Sequence, residues 1–456
     1  MQSTGWNRNF HGMGGFWLVW AGQSSTLIGN AALRFAFIVE IFVARQRATD
    51  VVLLTLAALL PKLVLSPLAG VLVDRWNRRL TLQLADVGGF VAVGALLALH
   101  LAGGLQPWQV YLAFAVAGAA EAFQYPAFSA AVPLLVDKHQ IQRANGLLAT
   151  AKNLGDVLGA ALGGVVLAAF GLGAVISLDL ASFVVAVGTV WLVRGLDVVP
   201  VAGVGGKRNL LAESSEGLRY LLSRPSLRNL TVVFFVVNLA SVFGFAVLPT
   251  MILARTSADA AALSLVNVSL GLGGIAGGVL LTLWGGPRDR VRAMRTGMVV
   301  TSVMAQIVVA VVTGTWAWAA AAFAGAALIP LINGSLQSVI QTKVPISSQG
   351  KVFGAVIFVG QLAAPLAMVS SGPLADHFFE PWMRSGDGVV AALLAPLTGS
   401  GPGSGMAAML LIAGVCSVLA AVVGMGTRAV RDIDVLLPDL EADKKEGDHE
   451  HEPVRG

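Results

Sequence analysis

At 456 residues, 56% of them hydrophobic and only 12% charged, the chain lacks the charge a soluble protein of this length needs to cover its surface. Its apolar residues fall in blocks of about 20, enough for a helix to cross ~30 Å of hydrocarbon, whereas an outer-membrane barrel would show short alternating segments. The net charge of +5 does not mark a nucleic-acid binder, because the basic residues sit between the apolar blocks, where membrane topology places them.

In chain order, the blocks predict six spans at 16–42, 51–73, 80–101, 108–130, 141–170 and 172–193. A polar stretch, 194–228, follows. Six more spans are predicted at 230–253, 263–284, 294–313, 316–340, 352–374 and 406–425. The first block is too long for the core of a cleavable signal peptide, and no A-x-A-like site follows it. The domain organisation expected is an N-terminal six-helix bundle over 1–193, a cytoplasmic linker over 194–229, a C-terminal six-helix bundle over 230–427 and a charged, disordered tail over 428–456. Cys416 is the single cysteine, so no disulfide framework is available.

The charges between spans alternate. With a cytoplasmic N-terminus, the inside loops hold Arg75, Arg78, Arg79, Lys138, Arg143, Arg288, Arg290, Arg292, Lys343 and Lys351 among others, and the outside loops only Arg45, Arg47, Arg255 and Arg384. The positive-inside rule then places both termini in the cytoplasm. The long gap after span six divides two halves of similar size. Each has a proline in its fourth span, Pro126 and Pro330, and another in the loop that closes it, Pro133 and Pro345. This weak symmetry is what duplication of a bundle leaves, with substrate bound near the midplane between the halves.

The loop after span two reads Gly70-Val-Leu-Val-Asp74-Arg75-Trp-Asn-Arg78-Arg79. It resembles the G-x-x-x-D-R-x-x-R-R signature of the major facilitator superfamily. The glycine permits close helix approach, and a carboxylate at a helix end can accept backbone N–H bonds or pair with arginine, forming a latch that holds one access state. The equivalent loop after span eight, Trp284-Gly-Gly-Pro-Arg288-Asp289-Arg290, is basic but out of register. Span five carries Gly146, Gly155, Gly159, Gly163 and Gly164, similar to an antiporter motif associated with exporters, with Ala160 where that motif has proline. Small residues four apart also serve simple helix packing. Tyr125–Pro133, Arg143–Gly146, Gly217–Pro225 and Gln341–Pro345 resemble the drug:proton antiporter branch that includes macrolide-efflux and enterobactin-export proteins. The resemblance covers nearly the whole chain. It implies an all-α membrane protein of twelve transmembrane helices in two pseudo-symmetric six-helix bundles, the major facilitator fold. It further implies a monomer in a bacterial inner membrane that exports a small amphipathic or hydrophobic compound, energised by a proton gradient and needing no cofactor or metal.

Ionisable side chains inside spans are functional candidates by default. The first half holds Arg34, Glu40, Lys62, Asp86, Glu121, Lys152, Asp156 and Asp179; the second carries neutral polar residues such as Asn238, Asn267, Gln306 and Asn333. Lys152 and Asp156, four apart, are placed to pair on one helix face. Glu40 and Asp179 lie toward the outer boundary. Asp86, about two turns from the inner surface, is placed to join the Gly70–Arg79 latch. At 1.5 Å per residue Lys62 falls near the midplane, Arg34 in the outer half and Glu121 in the inner half. Glu121 is therefore the first proton-coupling candidate and Asp156 the second, with a static ion pair to Lys62 or Arg34 as the alternative reading. An ATP-driven pump is excluded, because Val201–Arg208 lacks the first glycine and the hydroxyl of a phosphate-cradling loop. His100 and His377 are isolated and no catalytic set converges, so no enzyme is expected. A proton-coupled importer and a non-transporting membrane receptor remain the competing functions.

Overall fold

The computed structural model describes residues 12–193, 210–386 and 388–437. Every regular element among them is helical, which hydrocarbon demands, because only helices and closed barrels bond all their own backbone groups. The first half comprises α1 (Met13–Arg45), α2 (Ala48–Arg75), α3 (Arg78–Leu101), α4 (Pro107–Leu135), α5 (Ile141–Phe170) and α6 (Leu172–Leu192). After α7 (Leu210–Ser223), the second half comprises α8 (Pro225–Phe245), α9 (Leu248–Arg255), α10 (Ala260–Trp284), α11 (Arg290–Ser302), α12 (Val309–Val311), α13 (Thr315–Ala326), α14 (Ile329–Lys343) and α15 (Ile346–Leu374). It ends with α16 (Glu380–Ser385), α17 (Val389–Thr398), α18 (Ser404–Gly426), α19 (Arg428–Arg431) and α20 (Ile433–Leu436).

Eleven stretches among the described residues are long and apolar enough to cross a membrane. The twelfth span is α4, whose 29 residues are long enough but include Gln109, Tyr111, Glu121, Gln124 and Tyr125. Val64, Val165, Trp191 and Leu283 are all more than 60% exposed, an apolar surface that only lipid accommodates.

The second half is built from interrupted spans. Pro249 and Pro330 stand four residues after Phe245 and Ala326, the last residues of α8 and α13. Proline lacks an N–H and clashes with the carbonyl four residues back, so both helices stop there and restart with proline in the first turn. Pro126, the counterpart of Pro330 in the first half, stays inside an unbroken α4. Span nine passes through a π turn at Val303–Val308, and α15 runs into another at Ala375–Phe379.

Several boundaries differ from the sequence reading: α4 runs to Leu135 and takes Pro133 into the helix instead of the closing loop, α15 starts at Ile346 instead of 352, and two further differences bear on the fold. Span seven starts at Pro225 rather than 230, because a proline at the first helical position initiates α8 and Leu227 is buried. The tail is not disordered from residue 428: α19 and α20 fold back, burying Val430 and Ile433 against the second half. There Lys343, with no exposed side chain, donates to the Leu437 carbonyl and to Asp434 Oδ1, each at 2.7 Å. Residues 194–209 of the expected linker and 438–456 of the expected tail lie outside the described residues. Within the linker, α7 docks on the start of α15, where Lys351 bonds Glu216 and holds that carboxylate below its usual range.

The halves meet at one end only. One continuous apolar core at the end away from the α2–α3 loop joins Phe37, Phe42 and Leu54 of the first half to Met251, Leu253 and Met406 of the second. At the loop end the cores are separate, one around Phe16, Leu82 and Val132, the other around Leu230, Met294 and Ile340. The bridging pairs are α2 with α15 and α5 with α10. Their cross-half hydrogen bonds lie at the far end: Ser264 Oγ donates to the Ala160 carbonyl at 2.9 Å, and Asp376 accepts from the Ala48 and Thr49 N–H groups at 2.8 Å each. Toward the loop end, a methyl group added at Gly70, Gly146, Gly278, Gly350 or Gly354 would meet nothing within 4 Å. The four helices diverge there.

Candidate functional site

The site grows from α1, which packs along α5 and α6. Glycines make the approach possible. Added Cβ atoms would lie 3.1 Å from Leu27 at Gly155, 2.9 Å from the Ile28 carbonyl at Gly159 and 2.8 Å from the Ala32 carbonyl at Gly163. At Gly164 the atom met is Ser264 of α10, at 2.8 Å, so this residue packs across the halves. Gly146, the remaining member of the set, faces open space. Gly159→Val is accordingly expected to cost about 1–3 kcal/mol by overpacking, while Gly146→Val leaves the apparent Tm of this state unchanged; thermal unfolding of purified variants checks the pair.

Tight packing of α1 brings charged groups from three helices together. Glu121 Oε2 of α4 receives Lys62 Nζ of α2 at 2.8 Å, and its Oε1 receives Asn30 Nδ2 of α1 at 3.3 Å and lies 3.9 Å from Arg34 Nη2. The carboxylate side chain is 17% exposed, against 46% for Lys62 and 37% for Arg34. The anion is thus enclosed and its cations reach water. The sequence reading spreads these three over different depths and offers an ion pair of Glu121 with Lys62 or Arg34 as its alternative; the structure holds both pairs, and Asn30 is the member the reading missed. A polar residue inside a span was the available signal.

Asp86 is fully buried and accepts Gln23 Nε2 at 2.8 Å and Gln124 Nε2 at 2.7 Å. It was expected beside the loop arginines. Its hydrogen-bond partners among the described residues are instead amides of α1 and α4, because it projects into the bundle. Lys152 and Asp156 form no ion pair, contrary to the spacing argument; both are exposed along the diverging part of α5, where water competes for each charge. Asp156 joins Arg34, Phe35, Ile38, Asn267 and Leu270 around a cavity of about 400 Å³ between the halves. A smaller void of about 20 Å³, room for about one water, lies between Arg34 and Glu121. Arg34 therefore faces both the cavity and the ion network. Asp179, on α6, is fully buried with one carboxyl oxygen, Oδ2, lacking a hydrogen-bond partner among the described residues.

The loop motif spans the end of α2 and the start of α3. The backbones of Asp74 and Arg75 close α2, and their side chains lie outside the described ones. Asn77, an unspecified position in the motif, caps α3 by accepting the N–H groups of Arg79 at 2.9 Å and Leu80 at 3.3 Å. Arg79 donates to the Trp191 carbonyl at 2.6 Å, tying the loop to the end of α6, and Arg78 Nε is buried without a partner among the described residues. At the other end, the segment after α15 carries two carboxylates that sequence reading passed over. Asp376 caps the first turn of α2. Glu380 accepts the N–H groups of Gly403 at 2.7 Å and Gly405 at 2.9 Å, capping α18. Phe378, Phe379 and Trp382 pack together beside them.

Two bundles joined at one end around a central charged cavity define a membrane transporter rather than an enzyme. The chain belongs to the Major Facilitator Superfamily, whose family description matches residues 19–368. Macrolide efflux protein A of Streptococcus pyogenes is 25% identical over 369 residues, 79% of this chain and 89% of that protein. Multidrug efflux pump Tap of Mycolicibacterium fortuitum is 24% identical over 371 residues, 76% and 86% of the two chains. Among solved structures, a bacterial homolog of the human lysosomal transporter Spinster, inward-facing and unoccupied, aligns with a TM-score of 0.67 at 14% identity, over 93% of this chain and 98% of that one. The nucleoside transporter NupG aligns at 0.63 and 10% identity, over 90% and 98%.

Proposed function

We propose that the protein exports a small amphipathic or hydrophobic compound, of the antibiotic or siderophore type, across a bacterial inner membrane in exchange for protons. The carrying observation is the central cavity, walled by Phe35, Ile38 and Leu270 but holding Arg34 and Asp156, with the halves joined at one end and parted at the other. The positive-inside rule puts the loop end and both termini in the cytoplasm, so this arrangement corresponds to the inward-open state of alternating access, the bundles over 1–193 and 230–427 rocking about the cavity. The efflux-named relatives support the outward direction. Coupling through the first half follows from the charge distribution: Arg34 contacts both the cavity and Glu121, so substrate and ion network act on one side chain. The chain functions as a monomer in this reading, since each cavity is complete within one copy.

The test is overproduction in a pump-deficient bacterial host. Resistance to macrolides or other hydrophobic compounds is expected to rise severalfold and to vanish when the proton gradient is collapsed. Net accumulation of the compound under an inward proton gradient would support the importer reading, and binding without flux in vesicles would support a receptor.

A further inference from the structure

Among the described residues of the first bundle, Asp86, Glu121 and Asp179 hold their carboxyl groups enclosed, and the structure treats one of them differently. Asp86 receives two amide donors, and Glu121 receives an amide and two cations. Asp179 has neither. Its Oδ1 lies 3.3 Å from the Ser182 hydroxyl, which sits closer, at 2.7 Å, to the backbone carbonyl of Asp179, and its Oδ2 has no partner among the described residues. A carboxylate oxygen buried without a donor is the costliest way to hold a negative charge in a membrane interior, and a proton relieves most of that cost.

Position connects this carboxyl to the transport site. Gly29 of α1 faces it: a side chain there would run into the Asp179 carboxyl and Ser182. The next residue, Asn30, bonds Glu121, and Arg34, one turn on, lines the cavity. One turn and a half of α1 thus touches Asp179, the ion network and the substrate space. Arg34 on α1 and Glu121 on α4 are the charged groups that act on Asp179. Of the other helices packed on α6, α3 presents Asp86, held by its amides, and α5 presents Asp156, turned to the cavity.

We infer that Asp179 is the carboxyl that carries the transported proton, and that Glu121 remains an ionised anchor for Lys62 and Arg34. The assignment rests on the proton-driven export reading. The proton binds Asp179 from the outside water when the transporter is open outward and stays through closure of that end. Substrate entering the cavity draws Arg34 off Glu121; the freed guanidinium stabilises the Asp179 carboxylate, the O–H bond breaks and the proton leaves to inside water. No electron changes place.

Two measurements on the purified full-length protein decide it. In detergent at neutral pH, the infrared carbonyl band of a protonated carboxylic acid, identified by its shift in heavy water, is expected in the wild type and absent in Asp179→Asn. A band that survives in Asp179→Asn, or no band in the wild type, overturns the assignment. In proteoliposomes, Asp179→Asn is expected to lower macrolide flux driven by a proton gradient about tenfold or more while leaving macrolide counterflow at the wild-type rate, which also shows that the variant is folded. Gradient-driven flux unchanged in Asp179→Asn overturns it as well. Should the wild type move no macrolide at all, the export reading fails, and the infrared band alone decides whether Asp179 holds the proton.

Discussion

Glu121→Ala is expected to lower the stability of the purified protein by about 2 kcal/mol and to abolish transport. Removing the anion leaves Lys62 and Arg34 facing each other without a counter-charge, a change that costs ~3–5 kcal/mol where all partners are fully buried. Lys62 and Arg34 are 46% and 37% exposed, so water in the cavity offsets part of it. The apparent Tm should fall by roughly 2 °C. A second substitution, Lys62→Met, is expected to restore much of that fall, since it removes the stranded cation; failure to do so would show that Glu121 acts by packing and not by charge. Transport is not restored in the double variant, because Arg34 has lost its anchor.

Asp376→Ala is expected to shift the transporter toward the state open at the far end. The carboxylate makes two charge-assisted bonds to the first N–H groups of α2, in the other half of the molecule, at 2.8 Å each. Backbone donors at a helix N-terminus favour an anion, and losing both bonds is worth about 2–3 kcal/mol, which is roughly a 30- to 150-fold change in the ratio of the two states. Spin labels at Leu68 of α2 and Ile357 of α15, both more than half exposed, report the change as a shortened distance, with Cys416 replaced by serine beforehand. An unchanged distance distribution would show that the apolar core alone holds the far end closed. Asp376→Asn retains one acceptor and should fall between wild type and alanine.

The spans were legible in the sequence because a membrane requires long apolar blocks, and no other force at that length scale produces them. Depth was legible only coarsely: counting residues along helices puts Lys62 near the midplane, Arg34 outward and Glu121 inward, and their long side chains close those differences in the structure. Direction around the helix axis was not legible. That is why Asp86, read in span three as near enough to join the loop latch, is found between Gln23 and Gln124, and why Lys152 and Asp156, four apart, do not pair. The two proline-marked fourth spans read alike, yet Pro126 is absorbed within α4 while Pro330 breaks its span, a difference made by the surrounding packing and not by the residue. The Asp376 bonds join residues more than 320 positions apart and carry no local signature. The orphaned oxygen of Asp179 was equally out of reach, since a sequence names carboxyl groups but not their donors.

The bond between Lys343 and the segment that follows α18, at Asp434 and Leu437, has a consequence for biosynthesis. A ribosome delivers residues in order, so the ammonium at the end of α14 waits for more than 90 residues before these partners emerge. By then every span has been made. The second bundle therefore completes its face at this end only after all its spans have been made, and a nascent chain stopped at Gly426 would present an unfinished surface to the membrane quality-control proteases. An affinity tag placed beyond residue 437 leaves that last step intact; one that replaces α19 and α20 would remove it.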